Sequence, residues 1–118
     1  MSNIQGLLID YEWCSGCQSC ELACRNEHNW DLDSYGIKVL EMGPYNMPDK
    51  EGLVEWNYVP ATTVLCDLCA ERTARSEVPS CQLHCLAGVI ESGTIEELAK
   101  RASELKAKGK RKLNLLIP

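Results

Sequence analysis

The chain has no phenylalanine, and aromatic residues make up only 6% of its 118 positions. A domain this small buries proportionally little surface, so a core poor in large rings implies that something besides side chains fills part of the interior. No apolar run approaches the ~20 residues of a membrane-spanning helix. The opening Met1-Ser2-Asn3-Ile4-Gln5-Gly6-Leu7-Leu8-Ile9-Asp10 has no basic leader, and its apolar stretch is too short for a secretory signal. The expectation is a cytoplasmic protein with reduced thiols, exported only if carried by a signal-bearing partner. No phosphate-cradling glycine loop, Ser/His/Asp set or paired-carboxylate arrangement is present, so no catalytic residues are read. Lys and Arg number 12 against 17 Asp and Glu, for a net charge of -5. That balance argues against general nucleic-acid binding and suits docking onto a basic protein face.

What the chain does have is 8 cysteines in two groups. They read Cys14-x2-Cys17-x2-Cys20-x3-Cys24 and Cys66-x2-Cys69-x11-Cys81-x3-Cys85. The first is the thiolate run that encloses a cubane iron–sulfur cluster. Two-residue gaps let a tight loop reach three corners of one cube while backbone N–H groups face the sulfurs. The three-residue gap differs, because it sets Cys24 one helical turn beyond Cys20. In two-cluster ferredoxins that fourth cysteine ligates the other cluster. Applied here, cluster 1 takes Cys14, Cys17, Cys20 and Cys85, and cluster 2 takes Cys66, Cys69, Cys81 and Cys24. Eight thiolates at about −8 and two oxidised cores at about +4 would bring the loaded protein to roughly −9. The alternative is structural zinc, for which paired Cys-x2-Cys knuckles are typical. Cys66-x2-Cys69 alone would suit zinc, whereas Cys-x2-Cys-x2-Cys is rare in zinc sites.

Between and around the ligand groups the pattern predicts short elements. Gln5 to Asp10 reads as a buried strand, and the chain turns helical from Cys20 through His28. Ile37 to Met42 reads as extended, and Val54, Trp56 and Tyr58 alternate with Glu55 and Asn57 at period two. Turn formers lie between them at Gly43-Pro44 and Met47-Pro48-Asp49-Lys50-Glu51-Gly52, which predicts a β-hairpin inserted at about residues 35–60. Thr94 and Glu97 have capping-box spacing; Ile95, Leu98, Ala99, Ala102 and Leu105 follow at helical period, and Gly109 suits a stop. Leu113 to Ile117 is a candidate last strand.

The stretch from Leu8 through Trp13, Cys14, Cys17 and Cys20 to Cys24 resembles the opening of the electron-transfer (β) subunits of the dimethyl sulfoxide reductase family. Cys66-Asp67-Leu68-Cys69, the loop through Arg72, Pro79-Ser80-Cys81 and Cys85 resemble their widened second motif. The resemblance covers most of residues 4–93. It implies an α+β, bacterial dicluster ferredoxin-like fold with the inserted hairpin. Residues 1–93 would form that unit, and residues 94–118 a helix-and-strand extension of the same domain. It implies two [4Fe-4S] clusters and a non-catalytic subunit that relays single electrons. The partners implied are a large catalytic oxidoreductase subunit (molybdenum or tungsten pterin, with a flavoenzyme as substitute) and an external electron carrier. Larger family members carry twice as many cysteines and four clusters, so this chain resembles a halved version. Arg25 after Cys24 and Leu86 after Cys85 stand where proline is common, which bears on exposure and potential but removes no ligand. A free-standing ferredoxin with several clients is the alternative within the redox class.

His84, beside Cys85, and His28, one turn past Cys24, are candidate nitrogen ligands that eight cysteines make unnecessary. Trp13, Trp30 and Trp56 read as packing or partner-facing residues. Lys106, Lys108, Lys110, Arg111 and Lys112 complement the dipole at the end of the last helix, with a docking patch as the alternative.

Overall fold

A computed structural model describes residues 4–46, 48, 52 and 54–118. Most of the predicted hairpin turn (Met47, Asp49, Lys50 and Glu51) and the first three residues lie outside the described residues. The architecture is α+β, with a three-stranded sheet, a separate two-stranded hairpin and four α-helices among the described residues.

The divider of the molecule is β1 (Gln5–Asp10). It pairs antiparallel with β4 (Ile90–Thr94) on one side and β5 (Leu113–Leu116) on the other. A central strand with both faces covered needs a continuous apolar run, and Leu7, Leu8 and Ile9 are each at most 1% exposed. Successive side chains alternate in direction. Leu7 and Ile9 therefore pack with the cysteines, whereas Leu8 packs with Leu98 and Leu105 of α4 (Ile95–Ala107).

The capping box at the start of α4 is complete: the Glu97 N–H donates to Thr94 Oγ1 at 3.2 Å and the Thr94 N–H donates to Glu97 Oε1 at 3.5 Å. Ala99, expected on the buried face, is exposed; the stripe narrows to Leu98, Ala102 and Leu105. The sequence pattern does not show β4, because Ser92-Gly93-Thr94 reads as a helix lead-in rather than as the end of a strand.

After β1, Asp10 caps a 3-10 turn at Tyr11–Trp13 by accepting from the Glu12 N–H at 3.3 Å, which delivers the chain to Cys14. The first helix, α1 (Ser19–His28), buries Cys20, Ala23 and Cys24 together with the carboxylate of Glu21. Glu21 Oε2 accepts from the Val39 N–H at 2.5 Å and lies 3.6 Å from Lys38 Nζ. That buried acceptor ties the hairpin to α1, since an unpaired strand-edge N–H would otherwise be costly.

The hairpin is β2 (Ile37–Asn46) and β3 (Val54–Thr62), paired Ile37 to Thr62, Val39 to Pro60 and Glu41 to Tyr58. Gly43-Pro44, expected in the turn, lies inside β2, where the register shifts between Met42 and Tyr45. An irregularity of this kind accommodates a positive-φ glycine and a proline without an N–H. Of the period-two set on β3, Tyr58 packs against the core, whereas Val54 and Trp56 are about half exposed because the hairpin runs past the body.

Three cations of the basic C-terminal stretch find partners within the fold, although Arg111, like Lys106 and Lys108, stays exposed. Lys110 pairs with Asp10 at 3.5 Å, Arg111 with Glu12 at 3.4 Å, and Lys112 with Glu55 at 2.6 Å. These contacts pin the segment before β5 to the 3-10 turn and the hairpin, while Lys106 lies in the last turn of α4, where it complements the helix dipole.

Two candidate metal centres

The eight thiols gather around two small cavities. One is lined by Cys14, Cys17, Cys20 and Cys85, with Ser15, Gln18, Val39, Pro60 and Ile90 among its other walls. The second is lined by Cys24, Cys66, Cys69 and Cys81, with Leu7, Gly36, Ile37 and Thr62. Each set thus draws three cysteines from one sequence group and one from the other. The helix α1 brings this about: Cys20 and Cys24 lie one turn apart, yet they border different cavities. A single hairpin face roofs both, with Val39 and Pro60 over the first cavity and Ile37 and Thr62 over the second.

Two short helices set the remaining thiols. Cys69 precedes α2 (Ala70–Ala74) in a left-handed conformation, and Cys81 lies within α3 (Ser80–Leu83). The loop between them is held by Arg72, whose Nε donates to the Val78 carbonyl at 2.8 Å while its Nη1 lies 3.2 Å from both Glu27 and Glu77. The Ser80 hydroxyl donates to the Ala23 carbonyl at 3.3 Å, tying α3 to α1.

The sulfurs face N–H donors. Cys17 receives the N–H and hydroxyl of Ser19, the Ser15 hydroxyl and the Leu86 N–H, and these donors lower its pKa. Gly36 and Ile37 N–H groups face Cys24, Gly16 N–H faces Cys14, Leu68 N–H faces Cys66, and Ser80 N–H reaches Cys69 Sγ at 3.5 Å. Burial works the other way on the deeper thiols. It pushes Cys20 and Cys81 up to about 12 and Cys24 up to about 11, reinforced by the neighbouring thiols of each set. Cys81 also feels Cys20, so the two sets adjoin.

Four cysteine sulfurs, most of them with N–H donors on them, are a donor set that an iron–sulfur cluster takes, and each cavity is lined by one such set. Among the described residues no three His, Cys, Asp or Glu side chains are grouped to hold a single metal ion.

The two histidines separate. His84 is exposed and borders a surface groove with Ser19, Leu22 and Leu86. His28 lines the second cavity. Its Nδ1 lies 2.9 Å from the Cys24 carbonyl oxygen and 3.9 Å from Cys24 Sγ, and its Nε2 lies 3.1 Å from Asp67 Oδ1. Partial burial opposes the imidazolium, but these two bonds and the Asp67 charge outweigh it and hold the His28 pKa above its ordinary value. Asp67 also accepts from the Cys69 N–H at 2.9 Å.

Sequence spacing offers His28 only as a ligand. Its one-turn offset from Cys24 puts it near the site, but its partner lies 39 residues away and carries no local signal. Gly36 carries no sequence signal either. A Cβ there would fall 2.6 Å from Cys24 Sγ.

No family model matches the chain. It is 34% identical over 67 residues to a polysulfide reductase polypeptide of Wolinella succinogenes, covering 57% of this chain and 34% of that protein. It is 34% identical over 71 residues to a protein of Halobacterium salinarum named as a dimethyl sulfoxide reductase iron–sulfur subunit, covering 52% of this chain and 27% of that protein. A polypeptide of the anaerobic dimethyl sulfoxide reductase of Escherichia coli is 26% identical over 101 residues, or 86% of this chain and 37% of that one. The chain spans roughly a third of the length of the curated relatives it matches. In sequence, as in its two cysteine motifs, this chain resembles the iron–sulfur subunits of the dimethyl sulfoxide reductase family.

Proposed function

We propose that the chain is an electron-transfer subunit holding two [4Fe-4S] clusters in a dicluster ferredoxin-like arrangement, with no substrate chemistry of its own. Cys14, Cys17, Cys20 and Cys85 would hold one cluster, and Cys66, Cys69, Cys81 and Cys24 the other. The observation that carries this reading is the pair of adjoining four-thiol cavities, each completed by a cysteine from the other sequence group. When bound, such clusters supply one-electron transfer. The chain's own residues shape it: α1 sets Cys20 and Cys24 against the two sites, the hairpin excludes water above both, and the N–H groups stabilise the thiolates.

Cys17 is the exposed thiol of the eight, so the first site is where electrons would enter or leave. The relatives' names support a catalytic reductase subunit as one partner; the motif resemblance puts a molybdenum or tungsten pterin enzyme before a flavoenzyme. An external carrier is the other. The half-exposed Tyr45, Val54 and Trp56 on the projecting hairpin arm form a docking element for such a subunit. No helix among the described residues is long and apolar enough to cross a membrane, and a cytoplasmic setting remains part of the proposal.

Anaerobic affinity purification of the native protein tests the reading. Brown material carrying a stoichiometric large subunit supports it. A colourless protein containing zinc refutes it, and a brown protein without a companion replaces the subunit reading by a free-standing ferredoxin.

A further inference from the structure

The three-stranded sheet leaves one edge unguarded. The Asp10 N–H donates to the Val89 carbonyl and the Ile95 N–H to the Ile4 carbonyl, whereas the Tyr11 N–H donates to the Lys112 carbonyl, each at 3.0 Å. Backbone groups alternate in direction along a strand, so even-numbered residues of β1 bond towards β4 and odd-numbered ones towards β5. On β5, Asn114 and Leu116 lie opposite Ile9 and Leu7 and take those bonds. The N–H and C=O groups of Leu113 and Leu115 therefore point away from β1, and among the described residues nothing bonds them. The other edges carry obstacles. On the hairpin, the Val39 N–H goes to Glu21, and Pro60 opposite Val39 has no N–H to offer. On β4, the Thr94 N–H goes to Glu97 and the Ser92 hydroxyl to Gln82 of α3.

An open edge is a template for another strand, and folds guard such edges with charge, proline or a bulge. Leu113-Asn114-Leu115-Leu116 has none of these; Leu115 is 39% exposed, and Ile117 just beyond it is 61% exposed. The strand is also an uncharged stretch in a chain of net charge -5, so a copy of itself meets no repulsion along it. Turned antiparallel about Asn114, Leu113 lies opposite Leu115 of the copy, and both outward residues find partners inside the strand. Lys112 then lies opposite Leu116 and Arg111 opposite Ile117, so no charge faces a like charge. The two Asn114 amides meet at the axis, each offering donors and an acceptor. We infer that β5 pairs antiparallel with β5 of a second copy, joining the two sheets into one through Leu113 and Leu115. The axis stands perpendicular to the sheet, so both α4 helices lie on one face and both sets of thiols on the other. The pairing does not depend on what the thiols hold.

Sedimentation velocity on the anaerobically prepared full chain tests this. Its mass should rise with concentration from 13.2 kDa towards twice that value. Leu115→Pro removes an N–H that β1 does not use, so the sheet should persist while association weakens by about tenfold or more. Leu115→Thr keeps that donor on a strand-forming residue and should weaken association less than the proline does.

Charge at the axis supplies a second test that also reports on folding. Asn114→Lys and Asn114→Asp each set like charges opposite one another and should be monomeric alone, whereas their equimolar mixture should pair. A wild-type chain that stays at 13.2 kDa up to about 1 mM overturns the inference. So does a dimer that Leu115→Pro leaves as tight as wild type, or a mixture no better paired than its components. Release of a companion polypeptide by Leu115→Pro, with no self-association of the isolated chain, assigns the edge to that companion and overturns it too.

Discussion

Replacing Cys24 by alanine separates crossed ligation from a scheme in which each sequence group holds its own metal. Cys24 belongs to the first group in sequence but lines the second cavity, 6% exposed, with the Gly36 and Ile37 N–H groups on its sulfur. The substitution deletes one of the four thiols around that cavity and leaves Cys14, Cys17, Cys20 and Cys85 complete around the other. In packing terms it removes a single buried sulfur, a cost of about 1 kcal/mol, so β1 and its sheet should survive. Metal content should therefore halve, from about eight irons per chain to about four. Cys20→Ala is the control, since it breaks the first set and spares the second. Iron and sulfide counts give the stoichiometry, and electron paramagnetic resonance of the reduced proteins identifies which cluster remains. The two variants should retain different clusters. If both keep the same one, or if Cys24→Ala still holds about eight irons, the crossed arrangement is wrong.

Three further outcomes follow from the packing around the sites. Glu21→Ala orphans the Val39 N–H in a buried position and should cost about 1–3 kcal/mol in denaturant unfolding, whereas Glu21→Gln keeps an acceptor and should cost less; equal losses would contradict the role given to that bond. Gly36→Ala places a methyl 2.6 Å from Cys24 Sγ and 3.0 Å from the Trp30 ring, an overpacking worth about 1–3 kcal/mol that should depress iron occupancy at the second site alone. His84→Ala alters an exposed residue in a surface groove, so iron content should not change, and a loss of about four irons would make it a ligand.

The sequence was most legible where a residue's job is local. The apolar run at Leu7 to Ile9, the Thr94 and Glu97 cap and the helix from Cys20 all depend on neighbours within a few positions, and each is found where the pattern puts it. The crossed grouping of the thiols came from the two-cluster ferredoxin pattern rather than from local spacing, and the cavity linings follow the same division. What escaped depends on distant partners. The alternation on β3 was clear, but the point at which the hairpin leaves the body, half-exposing Val54 and Trp56, is set by the rest of the fold. The cations at Lys110, Arg111 and Lys112 read as a solvated run because their acceptors, Asp10, Glu12 and Glu55, lie far away in the chain. Asp67, between two cysteines, gave no hint of His28 for the same reason.

Whether the two thiol sets hold iron–sulfur cubanes is decided by chemical analysis of freshly prepared, oxygen-protected protein. Two loaded cubanes give about eight irons and about eight acid-labile sulfides per chain. A protein with zinc in place of iron, or with iron but no sulfide, would contradict it.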